Sequence, residues 1–161
     1  MEDEKKGMKI TIRNVQKTDN ALLRHLAKQC PSLDLHTQYT YWATAYYFNK
    51  SSFILEDDGK PIGYIMALNT PDVIFIWQIG IVKEYRGKGL SCELISAVME
   101  YAKSINKPIE VTIASNNKSS FNAFKSATLK QNLKMIKSDE INIIDLDDDA
   151  FSENEIKYII L

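Results

Sequence analysis

The sequence is poor in the residues that would place it fastest. Its two cysteines, Cys30 and Cys92, sit in neither a metal-ligand nor a redox spacing. That excludes a disulfide framework and points to free thiols in a reducing cytoplasm. Two histidines, His25 and His36, argue against a zinc centre. Net charge is -1, so there is no basic footprint for nucleic acid or an anionic membrane. No apolar run is long enough to span a bilayer. The charged start, MEDEKKGMK, lacks the apolar core of a signal peptide, so the expected location is cytoplasmic. What the chain does have is apolar residues, 45% of 161, enough for the core of one domain over residues 1–161. It shows no repeats and no linker.

The stretch that organises the rest is residues 73–92, VIFIWQIGIVKEYRGKGLSC. Val73 to Ile81 is a β-branched and aromatic run that predicts a strand buried on both faces. Lys83-Glu84-Tyr85 and Arg86-Gly87-Lys88-Gly89 form a turn. Leu90, Leu94, Ile95, Val98, Met99 and Ala102 then fall on one helical face. Strand, glycine turn and helix together let the backbone approach a ligand and present unpaired N–H groups at a helix start. With Arg86 and Lys88 alongside, that ligand is a phosphate or pyrophosphate. The spacing is neither a P-loop nor a dinucleotide fingerprint.

In chain order, residues 9–13 alternate as a first strand, and Thr18-Asp19-Asn20 supplies cap chemistry for a helix ending near Cys30, before Pro31. Asp34 lies between Leu33 and Leu35, ahead of a helix starting at Thr37. Six aromatics crowd residues 39–48, and Trp42, Tyr46 and Phe48 are expected in the core. Phe53–Leu55 and Ile62–Leu68 read as a hairpin turning at Asp58-Gly59. Residues 109–113 are a strand, and Asn116-Asn117 open a helix to about Ala127. Leu133–Ile136 and Ile141–Ile144 read as separate short pieces. The acidic run at Asp145, Asp147, Asp148 and Asp149 reads as a solvated loop, and Glu155–Leu161 as a last strand. The whole is a mixed α/β sheet with helices on both faces.

Ile79-Gly80-Ile81 followed by Tyr85-Arg86-Gly87-Lys88-Gly89-Leu90-Ser91 resembles the acetyl-CoA motif of the GNAT N-acetyltransferases, R-x-x-G-x-G/A, with Ser91 in the last small position. The resemblance implies the GNAT acyl-CoA N-acyltransferase fold, with acetyl-CoA lying between splayed central strands. Other stretches narrow it. Cys30-Pro31-Ser32-Leu33-Asp34-Leu35 with Thr37, Tyr39 and Tyr41 resembles the C-P-P-L-D-x-N-S-x-Y-x-Y segment of the L-2,4-diaminobutyrate N-acetyltransferases of ectoine synthesis. Phe75-Ile76-Trp77-Gln78-Ile79 is similar to their F-x-W-Q-V, and residues 109–113 with Asn117 to their L-E-T-T-x-T-P-x-N. This chain departs from that pattern at His36, Val111, Ala114 and Ser115.

The resemblance implies acetyl transfer from acetyl-CoA to a primary amine of a small diamino acid, in an enzyme that resembles homodimers. It assigns Ile79, Gly80 and Ile81 to the pantetheine arm and thioester carbonyl. Arg86, Gly87, Lys88, Gly89, Leu90 and Ser91 then take the pyrophosphate. Asn117 and Phe124 also border the donor, Phe124 standing where many relatives carry a proton-donating tyrosine. On the acceptor side the candidates are Asp34, Thr37, Tyr39, Trp77 and Glu110. Candidates for proton transfer are Tyr41, Tyr158 and Glu155. Another small amine as acceptor, or a non-catalytic acetyl-CoA-binding module, remains open at this level.

Overall fold

A computed structural model describes residues 7–144 and 152–161. The strands are β1 (Ile10–Asn14), β2 (Phe53–Asp57), β3 (Lys60–Asn69), β4 (Ile74–Ile81), β5 (Ile109–Ala114), β6 (Met135–Ile144) and β7 (Ser152–Ile160). The helices are α1 (Asn20–Lys28), α2 (Gln38–Tyr47), α3 (Leu90–Ser104) and α4 (Lys118–Lys130), with a short 3-10 turn at Lys83–Tyr85. The seven strands form one sheet in the order β1-β2-β3-β4-β5-β7-β6. Only β4 and β5 run parallel. Helices α1 and α3 both pack against β3 and β4, with α2 beside α1 and α4 beside α3, so both faces are covered. The core between them is apolar, with Leu23, Leu26, Ile54, Ile65, Leu94 and Ile95 fully buried.

The β2–β3 hairpin forms because Asp58 and Gly59 both accept positive φ, 48° and 82°, the backbone that a tight hairpin turn needs. Two features set the site. First, the β3–β4 register slips between Met66 and Ala67: Met66 faces Gln78 while Ala67 faces Ile76, leaving Trp77 as the extra residue of a bulge. Second, β4 and β5 pair over only three positions, Ile74–Ile76 against Ile109–Val111. Both strands continue past that point, so they fork, and the β5-facing side of Trp77–Ile81 has no strand partner.

Several expectations are corrected. Helix α2, packed beside α1, buries the face that carries Tyr41, Thr44 and Ala45. It therefore turns Tyr46 outward and stacks Trp42 on it at 5.2 Å, rather than placing Trp42, Tyr46 and Phe48 in the core. Asp19 occupies the cap position of α1 without capping it. Its carboxylate instead accepts from Arg13 Nη1 and from the Gln16 N–H, both at 2.7 Å. The tail pieces are one strand, β6, because an edge strand tolerates a polar stretch such as Lys137–Glu140 on its solvent side. The central strand is buried or half-buried except at Trp77, which is 40% exposed. The acidic run at 145–149 lies outside the described residues.

Candidate active site

The fork between β4 and β5 opens a cleft with two halves. One half, a cavity of about 640 Å³, is bordered by Ile79, Gly80 and Ile81 of β4. The glycine turn at Arg86, Gly87, Gly89, Leu90 and Ser91 forms its end, and the first turns of α4 its far wall. Gly87 and Gly89 have φ of +74° and +73°, and Gly89 is the N-cap of α3, so the turn is left-handed at both. A Cβ on Gly87 would meet nothing within 4 Å, so its need for glycine is conformational. The α3 start behind it offers unpaired N–H groups and partial positive charge to an anion. Arg86 is exposed, and its Nε donates to Ile81 O at 3.0 Å, pinning the turn to the end of β4. Tyr85 pins the other side, its hydroxyl donating to Asp57 at 2.7 Å. Ser91, Ser119, Ser120 and Ser126 give this half hydroxyls along its length. Lys88 is not among the side chains that border it.

The other half, about 440 Å³, lies across the fork. Asp34 and His36 from the 31–37 loop, Trp77 from the bulge, Phe124 from α4 and Glu155 from β7 all face it. The Trp77 and His36 rings are in tilted contact, centroids 4.7 Å apart and planes 41° from parallel. Ser32, Leu33, Ile79, Asn117 and Ser120 border both halves, so the halves meet over the unpaired edge of β4. Asn117 also caps α4, its Oδ1 accepting from Ser120 N at 3.1 Å. Phe124 is 3% exposed and offers no titratable group.

The structure does not bring every sequence candidate here. Tyr41 is fully buried, outside the residues that border the cleft, and its hydroxyl donates to Gln78 and accepts from the His36 N–H. Burial pushes that phenol up, so the group stays a neutral hydroxyl committed to this buried network. Thr37 is the α2 cap, accepting from Thr40 N, and Tyr39 points outward at 72% exposure. Glu110 is paired with Lys157 at 3.3 Å and does not border either half. Tyr158 packs on Phe121 in a smaller recess that shares Ala114 and Asn117 with the cleft.

Two groups went unrecognised in the sequence. Gln78 interrupts the apolar run and is buried under the 31–37 loop; a lone amide in a β-branched strand was the signal. Cys30 and Cys92 both border the first half. Burial raises the Cys30 thiol, against a smaller opposing pull from Arg86, so it is not a nucleophile poised at neutral pH.

Residues 20–127 match the acetyltransferase (GNAT) family. The chain belongs to that family. Among curated relatives, the L-2,4-diaminobutyric acid acetyltransferase of Vibrio parahaemolyticus is 32% identical over 126 residues, covering 76% of this acetyltransferase and 70% of that protein. The enzyme of the same name from Shouchella clausii is 33% identical, covering 72% and 67%. Among solved structures, the diaminobutyrate acetyltransferase of Paenibacillus lautus, in complex with L-2,4-diaminobutyric acid and coenzyme A, superposes with a TM-score of 0.78 at 22% identity, covering 96% of this chain and 95% of that one. The ribosomal-protein-S18-alanine N-acetyltransferase of Escherichia coli superposes at 0.71 with 15% identity, covering 94% and 92%. These structural likenesses establish the GNAT fold. Among the described residues, no helix is long and apolar enough to cross a membrane, and no cluster of side chains could hold a metal ion.

Proposed function

We propose that this acetyltransferase moves the acetyl group of acetyl-CoA to a primary amine of a small diamino acid, with L-2,4-diaminobutyrate as the preferred acceptor. The observation that carries the reading is the forked cleft: a glycine-turn cavity on one side, a cavity faced by two carboxylates on the other, meeting at Ile79. The curated relatives' shared name supports the choice of acceptor. The donor's pyrophosphate lies on the α3 start and the Gly87–Gly89 turn, and its pantetheine arm runs along the open edge of β4.

An ammonium cannot attack a thioester, so the acceptor nitrogen must first lose a proton. Glu155 faces the acceptor half and takes that proton, directly or through one water. The free amine then adds to the thioester carbon while unpaired N–H groups of β4 hold the carbonyl oxygen as it gains charge. The C–N bond forms, the C–S bond breaks, and the thiolate takes up the proton that leaves the new amide nitrogen. Phe124 cannot supply that proton. Asp34 holds the second ammonium of the acceptor, and Trp77 walls its alkyl chain and offers a cation–π face. One domain and a cytoplasmic setting complete the reading, with a homodimer as the expected assembly; light scattering checks the last.

The deciding experiment measures CoA release with a panel of amines. Turnover led by L-2,4-diaminobutyrate, with ornithine or another diamine next, is the expected result. Turnover only with monoamines would retire the diamino acid. No turnover with any amine, despite acetyl-CoA binding, would leave a non-catalytic binding module.

A further inference from the structure

Gln78 is 8% exposed, and its carboxamide is engaged on both sides. Its Oε1 accepts from the Tyr64 hydroxyl at 2.7 Å and, at the longer distance of 3.5 Å, from Tyr41. Its Nε2 donates to the backbone carbonyl of Asp34 at 2.9 Å. Tyr41 in turn accepts from the His36 N–H at 3.3 Å. Between Leu33 and Thr37, these are the hydrogen bonds that tie the loop to the body of the protein among the described residues, and both pass through this one network.

The bulge explains why strand β4 can serve both purposes here. In a regular strand, neighbouring side chains point to opposite faces. The extra residue at Trp77 re-aims the strand, so that Trp77 and Gln78 both border the acceptor half, one exposed and one buried beneath the loop.

We propose that Gln78 is a positioning residue for the acceptor: through the Asp34 carbonyl and Tyr41 it fixes where Asp34 and His36 stand over the cleft. This rests on the reading of that half as the acceptor site. Tyr64 holds the carboxamide in orientation, and Gly80 makes room for Tyr64, since a Cβ there would lie 2.5 Å from its ring. The glycine turn and the α3 start, which hold the donor half, lie past the opposite end of β4 and, among the described residues, make no hydrogen bond to the tie.

The test uses Gln78→Glu and Gln78→Met in the full chain. The glutamate carboxylate still accepts from the tyrosines but has no N–H for Asp34; methionine keeps the bulk and loses both functions. Expected for each is a KM for L-2,4-diaminobutyrate raised about tenfold, with the KM for acetyl-CoA within about twofold. Backbone hydrogen exchange should quicken at residues 31–37 and stay unchanged in β3. Combined with Asp34→Asn, either change should raise the acceptor KM little beyond Asp34→Asn alone, because both act on one contact. An unchanged acceptor KM, an equal rise in both KM values, or full additivity overturns the proposal. If Asp34→Asn alone leaves acceptor KM untouched, the acceptor reading fails separately. Exchange at 31–37 then decides whether Gln78 holds the loop: unchanged exchange overturns that too. Should the glutamate variant not fold, Gln78→Met carries the same measurements.

Discussion

The two halves of the cleft are built in different ways. The donor half comes mainly from one continuous stretch, the end of β4, the glycine turn and the start of α3, closed by the first turns of α4 and by Cys30, Ser32 and Leu33. Its key features are backbone features: two left-handed glycines, a helix start and an unpaired strand edge. The acceptor half draws residues from five separate segments, the 31–37 loop, β4, β5, the start of α4 and β7. A backbone site is insensitive to most side-chain changes and intolerant of a few. A side-chain site can be retuned at any one of its contributors. The donor half is thus suited to an invariant ligand, and the acceptor half to selectivity.

The sharpest way to break the donor half is Gly89→Asp. It forces a left-handed φ on a side chain and puts a carboxylate at the turn proposed to hold the pyrophosphate. Acetyl-CoA affinity should fall at least about a hundredfold in a folded protein, a loss of about 2.7 kcal/mol or more, read by calorimetry. Unchanged affinity would remove the pyrophosphate from this turn.

On the acceptor side, Asp34→Asn should lower kcat/KM for L-2,4-diaminobutyrate by about tenfold to a hundredfold, the worth of a charge-assisted hydrogen bond. Acetyl-CoA affinity should stay within about twofold, since Asp34 faces only the other half. Equal losses with monoamines and diamines would show that Asp34 only supports the loop.

Gly80→Ala tests whether the halves are coupled through β4. The added methyl would sit 2.5 Å from the Tyr64 ring and 3.1 Å from Cys30 Sγ, so Tyr64 must move. A destabilisation of about 1–3 kcal/mol is expected in urea melts, with acceptor KM rising more than acetyl-CoA KM. The reverse ranking would place the coupling in the donor half.

The tyrosines sharpen the comparison further. Tyr158→Phe should lower turnover a few-fold if the adjoining recess delivers a proton. Tyr41→Phe should act on acceptor KM and leave the pH–rate profile in place, because its hydroxyl is buried against Gln78 and does not border the cleft. A shifted profile in Tyr41→Phe would return it to the proton path.

The smallest expected effect lies outside both halves. Burial acts to raise the Asp19 carboxyl, but the hydrogen bonds from Arg13 and the Gln16 N–H outweigh it and hold the group below its usual range. A depressed carboxyl contributes stability fully above its unfolded value near 4, lost as pH falls through its lower folded value. Asp19→Asn should therefore cost about 1 kcal/mol at pH 7 and less as melts move towards pH 3, with acetyl transfer unchanged.

The sequence alone determined the strand, glycine turn and helix that border the donor half, because that information is local. A glycine pair after a β-branched strand and before an apolar helical stripe can be read within about twenty residues, and the hairpin at Asp58-Gly59 is legible for the same reason. Short motif resemblance also singled out Asp34 and Trp77, and the family resemblance offered Glu155 for proton transfer; all three border the acceptor half. Only the tertiary structure separated those from Thr37, Tyr39, Tyr41 and Glu110, which share the same segments or strands. Spacing along a chain shows which residues are neighbours, while orientation depends on which face an element buries. For α2 that choice fell on Tyr41, Thr44 and Ala45. The β4 bulge left no mark in the pattern of residue types, and the fork from β5 was expected only through the family resemblance, since neither a one-residue slip nor an unpaired edge shows in that pattern. The fork opens the cleft, and the bulge sets Trp77 and Gln78 together at its acceptor half.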